Sequence, residues 1–76
     1  MAKAFILVNV EIGADVEVLG EIRLIPEIKE AYRVYGVYDI ITIVETSTMQ
    51  ELKDVIGFKI RNLDRVHSTM TMIVVW

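Results

Sequence analysis

The sequence predicts an α+β fold: one four-stranded antiparallel sheet carrying two helices, in the order βαββαβ. Three observations predict it. Four apolar segments rich in Val, Ile and Thr alternate with two segments of helical periodicity. The second and third strands are joined by a link centred on Gly36-Val37, and a link that short makes the pair an antiparallel hairpin. The chain has 76 residues and no linker, repeat or low-complexity tract, so a single domain, 1–76, holds every element.

The first strand is expected from Lys3 to Glu11, and Gly13 breaks it. A helix follows from about Asp15 to Ile25. Asp15 can cap it, and Val18, Leu19, Ile22 and Ile25 recur on one face. Pro26 ends it, because the residue before a proline is pushed out of the α region. Strand two runs from about Ile28 to Tyr35, and strand three from Tyr38 to Glu45. Thr48-Met49-Gln50-Glu51 reads as a capping box, with Thr48 as cap and Glu51 reaching back. The helix it opens is expected to bury Met49, Leu52, Val55, Ile56, Ile60 and Leu63. The last strand runs from about Val66 to Trp76. This order is the ferredoxin-like arrangement, with the first and third strands central and both helices on one face of the sheet.

The strands do not alternate apolar with polar, as a sheet with one wet face should. Strand one offers Ala4, Ile6, Val8 and Val10 on one side and Phe5 and Leu7 on the other. Strand three sets Ile40, Thr42 and Val44 against Ile41 and Ile43, and strand four sets Met70, Met72, Val74 and Trp76 against Thr69, Thr71, Ile73 and Val75. The helices cover only one face. A second copy is therefore expected on the other, sheet on sheet, closing a dimeric α/β barrel. Composition agrees. A hydrophobic content of 54% exceeds the usual ~45–50%, while a single core this small is marginal alone and no Cys is present to staple it.

Several classes of function are disfavoured. The net charge is −3 and no Lys/Arg run exists, so direct nucleic-acid binding is not expected. Phe5 is the one aromatic placed as an RNA-binding sheet requires, without the basic neighbours. Apolar stretches are too short for a membrane span and no signal peptide is apparent, which makes a cytoplasmic protein the default. One His and no Cys cannot build a zinc cluster or a nucleophilic triad within one chain. His67 reads as structural or solvated, Met70 and Met72 as packing residues, and no cofactor or metal is expected. An enzyme reading survives only as a small cofactor-free oxygenase of the dimeric barrel type, with Asn9, Tyr32 or His67 as polar groups inside the barrel.

The stretch YRVYGVYDI carries more side chains than a turn needs. Asp39 can hold an ammonium group. Arg33, the hydroxyls of Ser68, Thr69 and Thr71, or backbone N–H groups can hold a carboxylate. Tyr35 and Tyr38 can wall a side chain. These are the parts a free amino acid requires. The plainer alternative is that Asp39 fixes the turn and the tyrosines pack an interface.

IRLIPEIKEAYRVYGVYDIITIVE, residues 22–45, resembles the Lrp/AsnC regulators, whose pattern there reads I-P-x-V-x-x-A-x-x-x-x-G-x-Y-D. The end of the chain, IRNLDRV followed by STMTMIVVW, keeps step with the family's T-x-T and apolar strand. The resemblance covers essentially the whole chain and implies the family's ligand-binding RAM domain. That implies a βαββαβ module that dimerises sheet to sheet, builds octameric or decameric rings and takes an amino-acid effector between dimers. Carried onto this sequence, the effector hairpin matches Gly36, Tyr38 and Asp39, and the partner strand matches Ser68, Thr69 and Thr71. The family commonly has Asp after the hairpin glycine, and here Val37 stands in its place. With the first strand starting at Lys3, no room remains for the family's DNA-binding helices, so a stand-alone module is expected, able to co-assemble with a full-length regulator. An assembly-only partner with a degenerate pocket, and the ACT domain, are the other readings of the same fold.

Overall fold

A computed structural model of the chain describes residues 1–75. Trp76, assigned above to the last strand, lies outside the described residues. The elements are β1 (Ala2–Val10), α1 (Asp15–Arg23), β2 (Ile28–Arg33), β3 (Ile40–Thr46), α2 (Met49–Asp54) with a π-helical continuation (Val55–Ile60), and β4 (Val66–Ile73). The sheet is antiparallel throughout, in the order β2-β3-β1-β4.

Register decides which residues face the helices, because directly paired residues share a face. Ile6 pairs with Thr42 on one side and Thr71 on the other, and Val8 with Ile40 and Thr69. These rows lie under the helices, where Ala4, Ile6, Val8, Ile40 and Val44 are fully buried against Val18, Ile22, Leu52 and Ile60. The opposite rows join Leu7 to Ile41 and Met70, and Phe5 to Ile43 and Met72. Among the described residues no element covers this second face. Phe5, Leu7, Ile41 and Ile43 are only half-buried there, and Met70 and Met72 are exposed.

Local chemistry explains most boundaries. The Oγ1 of Thr48 accepts from the N–H of Glu51 at 3.1 Å, which is the first half of the capping box. The helix then widens. The N–H of Arg61 reaches the carbonyl of Ile56, five residues back, at 3.2 Å. The widened turn keeps Val55, Ile56 and Ile60 on the sheet, whereas Met49 at the entry stays exposed, against the sequence expectation. The cap assigned to Asp15 is also corrected. Ala14 occupies the cap position without a side-chain bond, and Asp15 is the first helical residue. Its carboxylate is turned to Arg33 instead. Helix α1 stops at Arg23, two residues early, and Arg23 donates to the carbonyl of Ala31 through Nε (3.1 Å) and Nη2 (2.6 Å), tying the helix end to β2.

Two threonine hydroxyls, Oγ1 of Thr42 and of Thr71, are buried under the helices without a hydrogen-bond partner. A buried hydroxyl left unsatisfied costs free energy that an apolar group of similar shape does not. Thr42→Val is therefore expected to raise stability by about 1 kcal/mol, read as a higher urea midpoint at unchanged m-value. A lower midpoint would mean that the hydroxyl is satisfied in solution.

Candidate functional site

The link between β2 and β3 is wider than the sequence suggested. Both strands end short of the turn, and residues 34–39 form a loop closed by the N–H of Val34 donating to the carbonyl of Asp39 at 2.9 Å. Gly36 sits at φ +146°, a conformation that side chains disfavour, so its place in the loop is fixed by backbone geometry. Tyr35 and Val37 project into solvent at the tip, at 106% and 85% exposure. Tyr38, half-buried, lies on the return to β3.

Asp39 is not at the tip. Its N–H donates to the carbonyl of Val8 at 3.0 Å, and its Oδ2 accepts from the N–H of Val10 at 2.9 Å. The carboxylate thus fastens the end of β1 to the start of β3, with one oxygen committed. Arg33 is committed too: its Nη1 lies 2.8 Å from Oδ2 of Asp15. That hydrogen bond, first among the causes, holds the Asp15 carboxyl below its usual range. A folded value below the unfolded one, about 3.9, means that the pair stabilises above that pH and the contribution is lost as pH falls through the folded value. Asp15→Asn is expected to flatten the acid limb of the stability profile below about pH 4. An unchanged acid limb would show the pair to be idle. Asp15, Arg33, Val34 and Tyr35 together line a shallow depression of about 210 Å³.

Strand β4 divides its three hydroxyls. Ser68 pairs with Asn9 on the uncovered face, and its Oγ lies 3.5 Å from the Asn9 amide nitrogen. Thr69 lies on the helix side, where its Oγ1 accepts from Nε of Arg61 at 3.4 Å. Thr71 is on that side as well, and its hydroxyl is buried, so it does not join the others at the strand edge. Register shifts between Asn9 and Val10, which pair with Ser68 and Val66, leaving His67 unpaired at a β-bulge. Arg61, Val66, His67, Ser68 and Thr69 line a second depression of about 300 Å³. Sequence reasoning left Arg61 out. No local signal marks it, because its contact with Thr69 is made only once β4 returns alongside β1.

The predicted residues therefore fall into two groups at one end of the sheet. Asp39 lies beyond one side of β1 and the Ser68–Thr69 group beyond the other. Two strand spacings, about 10 Å, separate the backbones that carry them. Of the groups an oxygenase would use, Tyr32 lies on edge strand β2, separated by β3 and β1 from edge strand β4, while Asn9 on β1 pairs with Ser68, next to His67. The Tyr32 hydroxyl donates to the Glu30 carboxylate, which raises its pKa. Among the described residues no group of three or more His, Cys, Asp or Glu could hold a metal ion, and no helix is long and apolar enough to cross a membrane.

Fold and loop geometry define a ferredoxin-like α+β domain with one sheet face uncovered. Residues 3–75 match the family model described as the Lrp/AsnC ligand binding domain, and the chain belongs to that family. The HTH-type transcriptional regulator FL11 of Pyrococcus horikoshii is 38% identical over 71 residues, which are 93% of this chain and 46% of that protein. The chain thus spans about half the length of the curated relatives it matches. Among solved structures, hypothetical protein PHS023 from Pyrococcus horikoshii superposes with a TM-score of 0.94 at 43% identity, covering 100% of this chain and 92% of that one. E. coli AsnC superposes with a TM-score of 0.91 at 28% identity, covering 99% of this chain and 51% of that one.

Proposed function

We propose that this chain is an effector-binding and oligomerisation module that acts in transcriptional regulation by binding a free amino acid between copies of itself. Copies pair through the uncovered sheet face into a dimeric α/β barrel, and dimers assemble into octameric or decameric rings. The observation that carries the reading is the separation of the two groups in one chain. In one copy strand β1 stands between them: the Asp39 carboxylate is bonded to the N–H of Val10 on one side of it, and Ser68 and Thr69 lie on β4 at the other. A single small zwitterion is then better served by groups from different copies, one presenting the hairpin and the other its β4 edge. In this reading Asp39 takes the ammonium, the β4 group the carboxylate, Tyr35 and Tyr38 wall the side chain, and Gly36 shapes the loop. Arg33, already paired with Asp15, flanks the mouth, where Val37 makes the rim less polar.

A thermal-shift panel of free amino acids tests this, with light scattering on the same samples. A ligand held between copies stabilises the assembly by linkage, so the amino acid that raises Tm should also shift the mass distribution towards the larger form. A panel that moves neither leaves the chain as an assembly-only partner. The module works in the cytoplasm without a cofactor and catalyses no reaction. Regulation would pass through co-assembly with a full-length relative, since these residues carry a net charge of −3. The purified chain is expected to give no gel shift at physiological salt. Sequence-specific retardation would contradict that.

A further inference from the structure

The first turn of α1 is fastened to both edges of the sheet. Asp15 and Glu17 are two residues apart, and on a helix that spacing sends side chains to opposite flanks. Asp15 meets Arg33, the last residue of edge strand β2, and Glu17 meets Arg65, the residue before edge strand β4. Strands β3 and β1 lie between those edges. Each clamp stands beside one of the two groups separated above. Arg33 leads into the hairpin loop, and Arg65 precedes the bulge at His67 and the Ser68–Thr69 group. The second clamp holds a strained residue. Arg65 has φ +70°, the only positive value outside glycine among the described residues. A residue with a side chain keeps that left-handed conformation where its surroundings hold it there. The Arg65 carbonyl accepts from the Glu11 N–H at 2.9 Å, its Nε lies 3.9 Å from the Glu11 carboxylate, and its Nη1 pairs with Glu17. Glu11 adjoins the end of β1, so the contact with Glu17 is the hold that comes from the helix.

We propose that this turn is a crossbar that couples the two half-sites of one chain, with Asp15 and Glu17 as positioning residues. Its effect on ligand binding rests on the functional reading above, to which it adds regulation. In that reading each copy gives its hairpin to one site and its β4 edge to the next. An effector on the hairpin orders the loop and Arg33. Asp15 then fixes the first turn of α1, Glu17 holds Arg65, and the head of β4 is ordered before the neighbouring ligand arrives. A ligand that finds its half-site already ordered loses less conformational entropy on binding, which is positive cooperativity. Both ion pairs are half-exposed, and such pairs are worth little each. The coupling is therefore small, at most about fivefold in affinity between successive sites, and high salt should erase it.

Amide chemical shifts of the unliganded protein test the crossbar without any ligand. Asp15→Asn should move the amides of residues 65–69, at the far edge of the sheet, and Glu17→Gln those of residues 34–38. Lys59→Gln, which breaks the exposed ion pair to Glu27, should move neither set. Shifts confined to the substituted side, or equal shifts from Lys59→Gln, overturn the proposal. Calorimetric titration of the assembled protein with the panel amino acid that binds best then reads the coupling. Wild-type protein should bind with a Hill slope above one at low salt. Glu17→Gln should bring the slope to one while the mean affinity changes by less than about twofold, and Glu17→Asp should restore it. A slope of one in the wild type, or a slope that Glu17→Gln leaves unchanged, overturns the coupling while the effector reading stands. If no panel amino acid binds, the effector reading fails, and the shift pattern alone judges the crossbar.

Discussion

Light scattering at low micromolar concentration is expected to find no folded species at 8.7 kDa, the mass of one chain. The uncovered face presents Phe5, Leu7, Ile41, Ile43, Met70 and Met72 as one contiguous apolar field across three strands. Obligate dimers typically bury 2,000 Å² or more, roughly 1,000 Å² per copy. The whole surface of this chain is 5010 Å², so such an interface would take about a fifth of it. Ile43→Glu places a carboxylate within that field. Burying it unpaired costs several kcal/mol, so the variant should either run as a monomer or lose its cooperative melt. A variant that keeps wild-type mass and melting would show that this face is not the interface.

The second large effect is expected at Asp39. The carboxylate has a structural duty, accepting from Val10 N–H, and a proposed duty towards the ligand ammonium. Two substitutions separate them. Asp39→Asn keeps an oxygen for Val10 and removes the charge. Its melting temperature should stay near wild type while amino-acid affinity falls by about 1.5–3 kcal/mol, the worth of a hydrogen bond to a charged group. Asp39→Ala removes both roles and should lower stability as well as binding. Calorimetric titration and thermal melts on the two variants read this directly. Equal affinity in Asp39→Asn would return Asp39 to a purely structural role in closing the loop.

Much of the architecture was legible in the chain because period and punctuation are local signals. The alternation of Ala4, Ile6 and Val8 with Phe5 and Leu7 sorted β1 correctly into two apolar faces. Thr48 announced its helix, and Pro26 closed the preceding segment, though α1 itself ends at Arg23. What the sequence could not show was set by non-local geometry. Asp15 was read as a cap from its position beside the helix, but Arg33, eighteen residues away, offers a stronger partner than an N–H group. The β4 hydroxyls looked like one set until strand parity and the bulge at His67 divided them. Thr71 went under the helices, Ser68 to the open face and Thr69 to Arg61. Asp39 looked like a tip residue because the loop was read as two residues, and it is six residues long.

The contrast between the two edges of the sheet bears on how assembly stops. Edge strand β2 carries Lys29, Glu30 and Arg33, has a register irregularity between Ile28 and Glu30, and gives its Ala31 carbonyl to Arg23. Charges, a bulge and an occupied carbonyl are the devices that block strand addition. Edge strand β4, from Val66 to Ile73, carries no Lys, Glu, Asp, Arg or Pro, and beyond its bulge at His67 it runs regularly from Ser68 to Ile73. A polymer that grows without limit by edge pairing needs two receptive edges per copy, one at each side of the sheet. With β2 guarded, this chain can add a strand on one side only. Two copies meeting there would use up both receptive edges, so this route ends in a closed pair and cannot run on into fibres.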